Sequence, residues 1–355
     1  MLKAIAAKYE GQPCATFMGD GGAGHFVKTV HNGIEYADMQ LIAETYGIMR
    51  DGFGMTPEDC GEVFTRWNDS ILQSYLIEIS GKVAAATDPD TAAPMLDKIL
   101  DSAGQKGTGR WTAIEAQMLG APVTVIEAAV AARNLSAGLT LRAKGEERFG
   151  RPDTSLTPDT LTEDDLRDAL TVGKILCYAQ GFDLLDKAAD ENGWNLPMPA
   201  IAEVWREGCI IRSSMLNDMA KALADAPDNL ILAPYFAEII ADKLPILRKV
   251  VVTAAGAGLP VPALASTNTI PSSGASRILS CGVSWLPIPT SSFHLLEGNT
   301  KKLECQRLEF TIKWIVIVTE QQCVVEIILF RSSLAEFGTL PHPQSRLNRV
   351  RTSFA

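Results

Sequence analysis

Between Gly24 and about Asn268 the apolar residues of this 355-residue chain recur at three- and four-residue steps and almost never alternate. That periodicity commits most of the chain to helix. Phe26, Val27, Val30, Ile34, Met39, Leu41 and Ile42 trace the apolar side of one long helix running from Gly24 to about Gly52. Thr56-Pro57-Glu58-Asp59 opens the next. Proline suits a first helical turn, and acids there face the positive end of the helix dipole. Further helices are predicted over about 59–85, 90–101, 112–119, 122–145, 163–193, 198–225 and 232–257. Upstream, Cys14–Met18 (CATFM) reads as one strand and Gly19–Gly24 as a glycine-rich turn. The expected fold class is mostly α: a large multi-helix domain with a residual strand at the N-terminus.

The end of the chain has another character. Ile270–Ala355 carries nine Lys/Arg against six Glu and no Asp, a net of +3, which leaves −13 on the rest of a chain of net −10. This stretch is first Ser- and Pro-rich (IPSSGASR, SWLPIPTSSF), then β-like over Phe310–Val318 and Val324–Phe330, and finally basic (LNRVRTSFA). Three segments are expected: 1–22, a helical domain over 23–269, and a poorly ordered tail over 270–355.

Composition narrows the function classes. A net charge of −10 offers no basic face for nucleic acid, although a local Lys/Arg cluster still suits a small anion. Seven cysteines without a CxxC pair read as reduced thiols, and with four histidines no metal site is expected. The apolar run Trp314–Val318 is far too short to span a bilayer, and MLKAIAAKYEGQP is no secretory signal. The expectation is a soluble protein with no membrane and no nucleic-acid partner. It is expected in the cytoplasm, with a plastid as the open alternative.

Two segments carry chemistry. In GGAGHFVKTVHNGIEYADMQ, Lys28, His31, Asn32 and Glu35 follow at steps of three, one and three, so a helix projects them from one face. An ordinary polar stripe is one reading of this spacing. The other is a buried Lys28/Glu35 pair, with the lysine tuned as a base, the glutamate as an acid, and His31 and Asn32 orienting a substrate. The second segment, DSAGQKGTGRWT, is a glycine-punctuated loop in which Lys106, Thr108 and Arg110 offer donors to an anion. Arg133 lies in the apolar stretch VIEAAVAARNLSAG and would need an anionic partner if buried. Lys106, Thr108 and Arg133 converging on one point would suit a phosphate. Gly19, Gly21 and Gly24 formally satisfy GxGxxG, but no βαβ unit follows and Asp38 sits inside the helix, so the match reads as a decoy.

GAGHFVKTVHNGIEYADMQLIAE and DSAGQKGTGRWT closely resemble signature segments of 6-phosphogluconate dehydrogenase, and KILCYAQGFDLL and WREGCIIRS look like two more, in the family's order. The resemblance extends from about residue 1 to about 268. It implies the helical, substrate-binding domain of an enzyme that converts 6-phosphogluconate to ribulose 5-phosphate with NADP, works without a metal, and forms a homodimer. Lys28 matches the lysine that takes the C3 hydroxyl proton as hydride leaves, and Glu35 the acid that protonates the enediol after carbon dioxide is lost. His31, Asn32, Tyr36, Lys106 and Arg133 fall on substrate contacts, and Thr108 lies in the same loop. The alternative is a non-catalytic homologue that keeps this domain for dimerisation or regulation.

The chain departs from the family pattern twice. Residues 1–22 look like the end of a Rossmann domain that the complete family members carry in full, so little NADP affinity and no stand-alone activity are expected of this chain. Residues 270–355 lack the family's tail, which delivers an Arg and a His to the neighbouring subunit. They are expected to come from a misread exon boundary or a frame change. Peptide mass spectrometry of the native protein should therefore find no peptides from 270–355; their recovery at the abundance of the body would overturn this.

Overall fold

The computed structural model describes residues 2–157, 159–225 and 227–267, and the backbone of 312–319 and 322–329. The chain divides into two compact units, Met1–Ala275 and Ser276–Ala355.

The first unit opens with a single turn, α1 (Leu2–Ile5), and two short antiparallel strands, β1 (Lys8–Tyr9) and β2 (Gln12–Pro13). Glu10 and Gly11 join these strands, both at positive φ, as a tight hairpin turn requires. The expected strand at Cys14–Met18 is not formed. A strand needs a neighbour to take its backbone hydrogen bonds, and after Cys14 N, which donates to Ala7 O at 2.8 Å, no described strand pairs with this segment.

The helices then follow in chain order. They are α2 (Ala23–Gly47), α3 (Pro57–Trp67), α4 (Tyr75–Ala84), α5 (Thr108–Leu119), α6 (Thr124–Ala137) and α7 (Leu139–Phe149). After these come α8 (Glu163–Asn192), α9 (Met198–Val204), α10 (Met215–Ala224), α11 (Pro234–Gly256) and α12 (Pro262–Thr267). The long first helix ends as expected near Gly52, its last turn widening to a π-helix over Ile48–Gly52. Thr56 and Asp59 form a reciprocal capping box on α3, and Thr162 and Asp165 do the same on α8.

Several long helices expected from periodicity are broken, each by local chemistry that outcompetes the helical ladder. The 59–85 stretch divides where Asn68 Oδ1 accepts from Ser74 N at 3.0 Å and Ser74 caps a new helix. The 122–145 stretch divides at Gly138. The 198–225 stretch opens between α9 and α10, where Ser213 bridges to Ser74 and Arg212 O accepts from Tyr75 N at 3.0 Å. Over 90–101 only a 3-10 turn, Met95–Asp97, is formed. There Asp88 Oδ1 takes the amides of Asp90 and Thr91, and Thr87 bridges to Pro94.

The core forms around α8, which is buried along most of its length against α2 on one side and α11 on another. Glycines let α2 and α8 approach: a Cβ at Gly181 would lie 2.5 Å from Ile34 Cδ1, and one at Gly173 would lie 3.1 Å from Leu41. Between these two glycines, Lys174 Nζ donates to both carboxylate oxygens of Asp38 at 2.6 Å, the two side chains being 0% and 1% exposed. Glu44, also buried on α2, accepts from Ala263 N and Leu264 N at 2.8 Å and so caps α12. No described helix is long and apolar enough to cross a membrane.

In the second unit, β3 (Ile312–Thr319) and β4 (Gln322–Leu329) pair antiparallel, with Ile312 opposite Leu329 and Thr319 opposite Gln322. These strands overlap the β-like block read from the sequence. The expectation of poor order over 270–355 otherwise falls on residues outside those described.

Lys174→Met should destabilise the protein by about 3–5 kcal/mol, because it strands a buried carboxylate, while adding Asp38→Leu should recover most of the loss. Chemical denaturation of the two variants measures this, and a single variant as stable as the parent would contradict it.

Candidate functional site

The α2 helix turns its core-facing side toward α8 and offers a polar face from Lys28 to Tyr36. Lys28 Nζ lies 2.9 Å from His31 Nδ1, and the same nitrogen lies 3.1 Å from Asn32 Oδ1. On a neutral ring Nδ1 serves one of these at a time, as acceptor for the lysine or as donor to the amide carbonyl. His31 is 1% exposed, with its ring edge-on to Trp205 at 5.6 Å, and its Nε2 has no partner among the described residues. Burial, reinforced by the charge of Lys28 and only partly offset by Asn32, pushes the His31 pKa down to about 4, so the ring is neutral at pH 7.

Lys28 and Glu35 stand two turns apart on this face. Burial lowers the lysine pKa, against the opposing pull of Glu35 and then Cys209. Burial raises the glutamate pKa, against Lys28, Arg133 and Lys106 in that order. The pair is not sealed in the core, as the buried reading supposed: Lys28 reaches solvent and Glu35 is half-buried. The reason is geometric, since the buried face of α2 is occupied by the seam with α8.

The second segment meets α2 across Tyr36. Its hydroxyl accepts from Lys106 N at 3.3 Å, and its ring carries the Arg133 guanidinium at 4.3 Å. Arg133, on α6, also donates to Gly104 O at 2.9 Å. Two further residues of α6 stitch the loop: Ser136 Oγ accepts from Ala103 N at 2.9 Å, and Asn134 Oδ1 accepts from Gln105 Nε2 at 2.5 Å. Gly107 ends the loop at a φ of +102° that only glycine adopts freely, and Thr108 begins α5. A Cβ at Gly109 would lie 2.3 Å from the Tyr36 ring, so the bare backbone of α5 is what allows the tyrosine to sit there.

Of the residues anticipated from sequence, Lys28, His31 and Asn32 form one hydrogen-bonded group, and Tyr36, Lys106 and Arg133 form a second. Glu35 interacts electrostatically with both groups. Among the described residues Thr108 takes part through its carbonyl, which accepts from Thr112 Oγ1 at 3.0 Å. Nothing in the spacing of WREGCIIRS marks Trp205, which packs on His31, or Cys209, which interacts electrostatically with Lys28. No local spacing links that segment to α2. Among the described residues no three His, Cys, Asp or Glu side chains gather as a metal set. Gly19 and Gly21 precede α2 and Gly24 lies in its first turn; among the described residues no strand of a βαβ unit comes before them.

The model of the 6-phosphogluconate dehydrogenase C-terminal domain matches residues 24–272. The chain belongs to the 6-phosphogluconate dehydrogenase family. It is 47% identical over 273 residues to the decarboxylating 6-phosphogluconate dehydrogenase of Treponema pallidum, which covers 74% of this chain and 56% of that protein. Against the decarboxylating 6-phosphogluconate dehydrogenase of Staphylococcus aureus strain N315 it is 45% identical over 271 residues, covering 75% and 58%. The chain thus spans little more than half the length of these relatives. Among solved structures it is similar to Plasmodium falciparum 6-phosphogluconate dehydrogenase, which has been described in its apo form, with its cofactor NADP+ and with its substrate 6-phosphogluconate. That likeness has a TM-score of 0.73 and 35% identity, covering 91% of this chain and 66% of the other.

The depressed His31 pKa carries a stability signature. The unfolded histidine, near 6.5, binds its proton before the folded one does, so stability present above pH 6.5 is lost as pH falls toward 4. Relative to a His31→Gln variant, the parent should lose about 3 kcal/mol between pH 7 and pH 4. Denaturant midpoints of both proteins across that range measure it, and a constant difference would rule it out.

Proposed function

We propose that this chain is the substrate-binding part of a decarboxylating 6-phosphogluconate dehydrogenase, acting on 6-phosphogluconate to give ribulose 5-phosphate and carbon dioxide. The observation that carries the reading is the opposed tuning of Lys28 and Glu35 on one helix face, beside the cations Lys106 and Arg133. A lowered pKa makes the lysine give up its own proton more readily, and in this reading its amine takes the proton of the C3 hydroxyl as the hydride departs from that carbon. The ketone so formed withdraws electrons from the adjacent carbon–carbon bond, which breaks as carbon dioxide leaves. A glutamic acid of raised pKa then holds the proton that the resulting enediol needs.

His31 and Asn32 orient the sugar acid beside Lys28, while Tyr36, Lys106, Thr108 and Arg133 receive the phosphate. Arg133 is held for this by the tyrosine ring and the Gly104 carbonyl. NADP is the hydride acceptor in this reading. The chain is also read as a homodimer. Trp111, Ile114 and Met118, at helical spacing on α5, are 62%, 49% and 80% exposed and offer an apolar stripe to a second copy.

The test is calorimetric titration of the purified chain with 6-phosphogluconate. Binding is expected, with affinity falling about tenfold or more in Arg133→Lys, which cannot stack or fork as the guanidinium does. The same samples should sediment as dimers. A chain that binds no 6-phosphogluconate would overturn the proposal.

A further inference from the structure

The two halves of the candidate site belong to different helices, and something must fix one against the other. The Lys28 half rides on α2. The Lys106 half belongs to the loop that runs into α5. Tyr36 is one link, through one 3.3 Å hydrogen bond to the loop backbone and the packing of its ring on Gly109.

Thr112 is the second link, and it is made differently. Its side chain is wholly buried, and its hydroxyl lies 2.8 Å from Thr29 O and 3.0 Å from Thr108 O. Thr29 directly follows Lys28, and Thr108 is the loop residue that begins α5. One hydroxyl therefore spans the carbonyl beside the candidate base and the carbonyl at the end of the anion loop. Having a single proton, it donates to one of these at a time, and both geometries are within hydrogen-bond range.

Its seat is cut to shape. A Cβ on Gly33 would fall 2.5, 2.7 and 2.8 Å from the Cγ2, Oγ1 and Cβ of Thr112, that is, onto every heavy atom of the side chain. Gly33 stands between Asn32 and Glu35 on the functional stretch of α2, where a glycine costs helix stability of about 1 kcal/mol relative to alanine. Gly109 does the matching service on α5 for the Tyr36 ring. Each helix thus gives up one side chain so that a residue of the other can bed against its backbone.

We propose that Thr112, bedded on Gly33, is a positioning residue that sets the register between the sugar-acid half and the phosphate half of the site. This rests on the function proposed above. It has a consequence that mere stabilisation lacks. A ligand that touches both halves at once depends on the register, whereas a ligand that touches one half does not.

The experiment compares Thr112→Val, which keeps the shape and loses the hydroxyl, with Thr112→Ser, which keeps the hydroxyl. Each is titrated with 6-phosphogluconate, with gluconate and with inorganic phosphate, by calorimetry or by NMR line shape for the weak ligands. Thr112→Val should weaken 6-phosphogluconate binding about tenfold while leaving gluconate and phosphate within about twofold of the parent; Thr112→Ser should bind all three like the parent. Gly33→Ala, which pushes Thr112 off its seat, should show the same selective loss. Equal weakening of all three ligands, or no weakening at all, would overturn the proposal.

Amide hydrogen exchange over Gly104–Arg110 decides the register without a ligand. Faster exchange in Thr112→Val but not in Thr112→Ser supports it, and identical exchange in all three proteins overturns it. A parent chain that binds no 6-phosphogluconate would remove the proposed function, and the exchange result would still stand or fall separately.

Discussion

The Asp38–Lys174 ion pair is the fixed point from which the remaining geometry follows. Both charges are removed from water, and that costs several kcal/mol per ion unless each is well paired. Here the ammonium donates to both oxygens at 2.6 Å, and the glycines at 173 and 181 bring the helices close enough for it to do so. An apolar seam could slide or rotate by a fraction of a turn at little cost. A buried ion pair cannot, since any displacement leaves a charge unpaired. Asp38 follows Tyr36 by two residues, so locking its side chain against α8 dictates where the Lys28–Tyr36 face points.

That face shows how one environment produces opposite chemistry in two side chains. Partial burial disfavours charge on both Lys28 and Glu35, so it moves the lysine down and the glutamate up. Their mutual attraction works against this, and so do Arg133 and Lys106 at the glutamate. Burial remains the largest effect in each case. His31, far more deeply buried, is driven to the neutral form outright, and its Nδ1 is left close to the lysine amine.

Much of this was legible in the sequence because it is local. The face carrying Lys28, His31, Asn32, Glu35 and Tyr36 follows from helical spacing alone, and the glycines of the 101–112 segment mark its loop. What local sequence does not show are features set by distant partners or by competing hydrogen bonds. Asp38 reads in the sequence only as an acid inside the helix, since nothing near it reveals Lys174, 136 residues away. The helix expected at 90–101 yields to Asp88 and its two captured amides. The strand expected at Cys14–Met18 had the right composition but finds no neighbour. Trp205 and Cys209 reach the Lys28 group only because the fold brings the α9 end back to α2.

The π-turn at Ile48–Gly52 separates two parts of the first long helix that tolerate change differently. The helix ends with it, and the terminal carbonyls Asp51 O and Gly52 O accept from Thr154 Oγ1 and Leu156 N at 2.8 and 2.7 Å. Such a turn is how a helix absorbs one extra residue without rewinding what precedes it. An added residue is therefore absorbed more easily after Gly47 than before it. Between Lys28 and Glu35 no such give exists: one added residue would swing Glu35 about 100° around the helix axis relative to Lys28 and take the two off their shared face.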